Sequence, residues 1–154
     1  MIDSLMYHWG QFERLYAFPP FAIVHLVIQK FIEDKSEGIL IVPYWKTKPW
    51  FTVFANLIVA KPVLIHVTND VLSLPFDSFH QEDTVKRLHP LNDKLKLVAA
   101  LCSCKPAKLE AFRRQLPKRW DKEDERHHLS CMDRIYLNGN AIVSKGVLIP
   151  FVHL

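Results

Sequence analysis

Between residues 15 and 67 the sequence alternates short apolar runs with stretches of helical periodicity, and that order restricts the chain to one class of fold. Ile39-Leu40-Ile41-Val42 is an unbroken apolar run rich in β-branched side chains, the pattern of a strand covered on both faces. Before it, Phe21, Val24, Val27, Ile28, Phe31 and Ile32 recur at helical spacing, with His25, Gln29, Lys30 and Glu33 on the other side. That helix is expected to stop near Ser36–Gly38, where glycine supplies a left-handed terminal residue. Pro49 suits a first helical turn, and Trp50, Val53, Phe54, Leu57 and Ile58 continue an amphipathic helix. Leu15–Phe18 and Pro62–Val67 read as further strands. Strand–helix–strand–helix–strand predicts an α/β fold: a partial parallel sheet flanked by helices and joined by right-handed crossovers.

The flanking sequence is read more coarsely. Ile2–Phe12 predicts a short helix with Leu5, Met6 and Trp9 on one side, ending near Gly10. Val71–Leu74 reads as a short strand and Asp77–Asp83 as a polar loop. Asn92–Leu101 and Ala107–Leu116 read as helices, and Asp121–His128 as a solvated charged stretch. Arg134–Asn138, Ala141–Ser144 and Val147–Phe151 alternate around Asn138-Gly139 and Lys145-Gly146, both suited to hairpin turns. The expected division is an α/β module over 1–101, a helical, charged linker over 102–133 and a β-hairpin tail over 134–154.

Composition narrows the chemistry. The 154 residues include only four glycines, whereas phosphates and nucleosides are usually cradled by glycine-rich turns. The net charge of +4 is uneven. Residues 1–77 carry 6 Lys+Arg against 7 Asp+Glu, and residues 78–154 carry 14 against 9. Attraction to nucleic acid would therefore come mainly from the second half. Three cysteines, without a secretory leader, point to reduced thiols and an intracellular protein, cytoplasmic or nuclear. The longest apolar stretch, Phe18–Ile28, is interrupted by Pro19, Pro20 and His25, so no membrane span is expected.

Two segments hold the residues suited to binding. Phe18-Pro19-Pro20-Phe21 follows the first strand, and Tyr44-Trp45-Lys46-Thr47-Lys48-Pro49-Trp50-Phe51 follows the second. In an open α/β sheet ligands gather beyond the carboxyl ends of strands, so both loops are expected on one edge. Tyr44, Trp45 and Trp50 interleaved with Lys46 and Lys48 form the combination with which single-strand binders stack bases and track the backbone. The plainer account of the same residues is a proline pair that ends a strand, aromatic rings packed into a core, and solvated lysines.

The chain resembles a known module in Tyr16-Ala17-Phe18-Pro19-Pro20-Phe21, in a helix ending Asp34-Lys35-Ser36-Glu37-Gly38, and in Ile39–Trp45 followed by Pro49-Trp50-Phe51. That module is the Dam-like methyltransferase segment of tyrosine-recombinase (DIRS-class) retrotransposons, which follows their reverse transcriptase and ribonuclease H. Ile2-Asp3-Ser4-Leu5 and Trp9 fit its lead-in; His89-Pro90-Leu91, Lys94–Leu97 and Phe112–Pro117 fit its trailing part. The resemblance covers residues 1–117. It implies a truncated Rossmann-like methyltransferase fold, with much of the family's sheet lying before the equivalent of Ile2. In Dam-type enzymes an Asp, Asn or Ser precedes the Pro-Pro-aromatic motif, and its oxygen grips the target adenine amine while the aromatic stacks on the extruded base. Here Pro19, Pro20 and Phe21 match, but the first position is Phe18, whose ring has no oxygen to accept that bond. No glycine-bearing turn for S-adenosylmethionine is found. The resemblance therefore implies a catalytically inactive retrotransposon polyprotein remnant, with no cofactor and with DNA, RNA or other parts of the polyprotein as partners. The alternatives are an active adenine-specific DNA methyltransferase component using S-adenosylmethionine, and a single-stranded nucleic-acid-binding module.

Other chemistries lack their residues. None of Tyr7, Tyr16, Tyr44 and Tyr136 is followed by paired aspartates, as a polymerase would need, and Tyr136 has only Arg134 near it for recombinase chemistry. Asp3, Asp70, Asp77 and Asp93 show no spacing suited to a two-metal nuclease. Cys102-x-Cys104 and His127-His128-x-x-Cys131 have poor zinc-ligand spacing, and no metal is expected.

Overall fold

The structure, a computed structural model, describes residues 4–67, 95–116 and 141–153. Its strands are β1 (Leu15–Ala17), β2 (Glu37–Pro43), β3 (Val63–His66), β4 (Lys96–Ser103), β5 (Ala141–Ser144), β6 (Val147–Pro150) and β7 (Val152–His153). Its helices are α1 (Val24–Glu33), α2 (Pro49–Leu57) and α3 (Pro106–Arg114). The expected β–α–β–α–β order is present from β1 to β3, and the fold is mixed α/β. The main sheet runs β1-β2-β4-β3, with the two-residue β7 added beside β3.

The sheet is mixed rather than parallel, which corrects the expectation. β1 and β2 pair in parallel, but β4 inserts between β2 and β3 and runs against both. β4 occupies most of the segment expected as a helix over Asn92–Leu101. Its leucine, alanine and lysine content favours a helix locally. Lys94-Leu95-Lys96-Leu97, however, alternates with period two, and Leu97, Val98 and Ala100 are all buried in the sheet. Burial between two neighbouring strands overrides the local propensity.

Two further expectations change. Ile2–Phe12 is not one helix; among its described residues are short 3-10 turns at Ser4–Met6 and Trp9–Gln11, and Met6 is exposed while Trp9 is buried. Trp9 explains the break. Its backbone N–H donates to Asp34 Oδ2 at 2.7 Å and its indole N–H to the Ser4 carbonyl at 2.8 Å. Nor does α1 end on a glycine. Lys35 takes the left-handed conformation at φ 50°, and the Ser36 N–H closes the turn on the Phe31 carbonyl at 3.0 Å. Gly38 lies inside β2, close against the Leu15 backbone.

The segment from residue 141 returns to the body of the molecule. β5 and β6 form a hairpin whose turn places Lys145 at φ 49° and Gly146 at φ 76°, as a two-residue primed turn requires. Ile142 and Ile149 enter the same core as Phe31, Phe54, Leu40, Val42, Leu64 and Val98. Ser144 Oγ donates to Asn56 Oδ1 at 2.6 Å, and Arg113 donates to the Asn56 carbonyl at 2.8 Å, tying hairpin and α3 to the end of α2. The calls on Val71–Leu74, Asp77–Asp83, Asp121–His128, Arg134–Asn138 and the Asn138-Gly139 turn lie outside the described residues, and so do His127, His128 and Cys131.

Asp34 fastens the lead-in to α1, with Lys30 Nζ 2.9 Å from Oδ2 and His8 Nε2 3.8 Å from Oδ1. The Trp9 N–H and then the Lys30 ammonium hold its carboxyl below the usual carboxylate range, against the opposing effect of burial. A depressed folded pKa gives stability that is present above the unfolded value and is lost as pH falls through the folded one. Asp34→Asn is therefore expected to lower the urea midpoint near neutral pH, with the gap to the wild type closing as the pH falls below the ordinary carboxylate range. Urea titrations across the acid range check this.

Candidate nucleic-acid interface

Parallel pairing of β1 and β2, with Leu15 opposite Gly38 and Ala17 opposite Leu40, brings their carboxyl ends to one edge of the sheet. The loops that follow are Phe18–Pro20 and Tyr44–Lys48. They meet there, as the sequence order implied. The Phe21 ring meets the Trp45 ring edge to face at 5.5 Å and 73°, and Phe18 lies 6.4 Å from Phe21. Such contacts hold rings at fixed angles in addition to burying them.

Within the proline motif the roles divide. Pro19 is buried and Pro20 exposed, and the Pro20 carbonyl accepts the Ile23 N–H at 3.0 Å to start the 3-10 turn into α1. Phe21 is half-buried against a small second core of Val67, Leu95 and Leu97 with Ile41 and Ile65. Phe18 is 40% exposed. Phe18 thus presents hydrocarbon to the open edge.

The Tyr44–Trp50 segment separates into an outward and an inward part. Tyr44 turns inward: its ring packs edge-on to Phe51 at 5.6 Å and Phe151 at 5.4 Å, and its hydroxyl donates to the Ala141 carbonyl at 3.4 Å. Lys46 Nζ lies 4.8 Å from the centre of the Tyr44 ring, a cation–π distance. Trp50 is half-buried, packs on the main core and contacts Phe51 at 5.9 Å. Trp45 is half-buried, while Lys46 and Lys48 are exposed. The loop is held by the Tyr44 N–H to the Lys96 carbonyl at 2.8 Å and the Lys48 N–H to the Trp45 carbonyl at 3.0 Å. Pro49 then opens α2.

The arrangement sets Trp45, edge to face with Phe21, beside two exposed lysines, Lys46 and Lys48. Phe151 and the β5 carbonyl that support Tyr44 were not legible in the sequence, because they depend on the hairpin folding back across α2.

Away from this edge, an open groove of about 440 Å³ runs along Gly10–Arg14, Lys35–Glu37, Lys105 and Lys108. Glu37 there faces Lys105 at 3.2 Å and also Lys108. Lys108 and then Lys105 hold its carboxyl below the usual range. Cys102 is fully buried and burial raises its thiol pKa; Cys104 is half-buried with its thiol shifted the same way. Thiols held protonated in this way are poor nucleophiles. Among the described residues no three His, Cys, Asp or Glu side chains gather in a metal-ligating group, and no helix is long and apolar enough to cross a membrane.

Comparisons with family models, with curated proteins and with solved structures find no match for this chain.

Proposed function

We propose that this chain is a catalytically inactive, methyltransferase-like module derived from a retrotransposon polyprotein, and that it contacts single-stranded nucleic acid through the edge built from Phe21, Trp45, Lys46 and Lys48. The lineage rests on the resemblance in Tyr16–Phe21, Ile39–Trp45 and Pro49–Phe51. The inactivity rests on Phe18, where no lone pair is available to orient an amine. Losing one such orienting contact typically costs about a hundredfold or more in rate.

The observation that carries the binding reading is the 5.5 Å juxtaposition of Phe21 and Trp45 beside two exposed lysines. Rings that accept any base, next to cations that follow the phosphates, give sequence-tolerant binding to single strands.

Two measurements test the two halves of the proposal. Incubation with tritiated S-adenosylmethionine and adenine-containing DNA is expected to transfer no label; incorporation would show an active enzyme. Anisotropy titration with a labelled oligothymidine should show binding that weakens with salt. Trp45→Ala is expected to weaken it about tenfold, the lower range for one stacked base. Removing Lys46 and Lys48 together should reduce the salt slope by about 1.4. A Trp45→Ala variant that binds like the wild type would remove this edge from the reading.

A further inference from the structure

The second surface of interest is the sheet face turned away from α1, α2 and the hairpin. Residues paired across strands share a face and alternate along each strand. One face therefore carries Leu40, Val42, Leu64, Val98 and Ala100, all sealed in the main core. The other carries Tyr16 beside Ile39, Ile39 opposite Leu101, and Ile41 opposite Ala99. At the end near His66 this second face is closed by Phe21, Val67, Leu95 and Leu97. Toward the other end it is open, with Tyr16 68%, Ile39 42% and Leu101 38% exposed.

A sheet meant to face water on one side alternates apolar and polar residues; strands covered on both sides read as continuous apolar runs. β2 and β4 are continuous through Ile39–Val42 and Leu97–Cys102. The sequence is thus written for a layer on both faces, and among the described residues nothing covers the patch at Tyr16, Ile39 and Leu101.

Its rim is charged with one sign in excess. Glu37 belongs to the same strand face as Ile39, and it opens into the groove that also holds Arg14, Lys35, Lys105 and Lys108. Lys105 and Lys108 both draw on the single Glu37 carboxylate. Arg14 and Lys35 have no ionic partner among the described residues. Four cations thus stand against Glu13 and Glu37. Apolar surface ending in a positive rim is complementary to an amphipathic segment with carboxylates at one end. Phosphates could satisfy the rim, but not the apolar row.

We infer that the Tyr16–Ile39–Leu101 face docks an amphipathic helix of another protein chain, with its apolar side on the sheet and its acidic residues in the Arg14–Lys105–Lys108 groove. This inference does not rest on the methyltransferase reading and uses a different face from the aromatic edge. Helix on sheet is the layer that α/β architectures place there.

The test titrates the full chain with three labelled synthetic helical peptides of equal length. One carries a leucine stripe with glutamates on its flank, one the same stripe with lysines, and one the glutamates with the leucines dispersed. The acidic striped peptide alone should bind, more weakly at high salt. Tyr16→Asp and Arg14→Glu, both at exposed positions, should each weaken binding about tenfold, with near-ultraviolet circular dichroism unchanged. Binding of the lysine peptide as tightly as the acidic one, or of none of the three, overturns the inference. So does sedimentation showing that the wild-type chain pairs with itself and that Tyr16→Asp abolishes the pairing, since a second copy would then own the face. An oligothymidine whose binding is lost on Tyr16→Asp would overturn it as well.

Discussion

Phe54→Ala is expected to destabilise the folded chain by about 3–5 kcal/mol, the range for truncating a fully buried phenylalanine. Phe54 is completely buried in the core that takes in α1, α2, the inner sheet face and the hairpin isoleucines Ile142 and Ile149. Its ring meets Phe51 at 5.8 Å, and Phe51 in turn supports Tyr44. The cavity would therefore open where four elements converge, and none of them can close it without leaving its other contacts. Against a typical domain stability of about 5–15 kcal/mol the loss is large. Urea unfolding followed by circular dichroism measures it. A change below about 1 kcal/mol would mean that the hairpin and α2 do not pack as described. Tyr16→Ala, at a residue 68% exposed, is the control and should shift stability by no more than about 0.5 kcal/mol.

Gly38→Val is expected to be nearly as costly, at about 3 kcal/mol, the upper end for overpacking. A Cβ at position 38 would stand 2.6 Å from the Leu15 nitrogen and 2.7 Å from its carbonyl carbon, and closer still to its oxygen. Backbone atoms cannot rotate aside as a side chain does, so β1 would have to move away from β2. The collision is specific to the register that sets Leu15 opposite Gly38. Because β1 leads into Phe18–Phe21, separation would also pull Phe21 from Trp45. The variant should therefore lose oligonucleotide binding along with stability. Urea midpoints and anisotropy on the same preparation check both. Valine tolerated at position 38 within about 1 kcal/mol would count against the parallel β1–β2 pair.

The elements most readable in the sequence were those whose burial pattern is local. The unbroken Ile39–Val42 run, the spacing of Val24, Val27, Ile28 and Phe31, and Pro49 before Trp50 each reported their element because the exposed and buried positions repeat within a few residues. The meeting of the two loops was legible too, since parallel strands joined by one helix put their carboxyl ends on one edge. β4 was misread because Leu, Ala and Lys serve helices and central strands alike where most positions are covered. The inward turn of Tyr44 was left open by the sequence, since aromatic rings suit a core and a binding edge equally, whereas Trp50 fell on the apolar stripe read for α2.

What the sequence settled by itself is the set of strands and helices around the proline motif, and the chemistry of Phe18, a ring without a hydrogen-bond acceptor. Those are properties of single residues and short spacings. The tertiary structure alone decided that β4 runs between β2 and β3, that the hairpin completes the core over Phe54, and that Gly38 lets β1 approach rather than ending α1. Each depends on segments distant in the chain competing for the same apolar surface, and the outcome is set by shape and register, which no local pattern encodes.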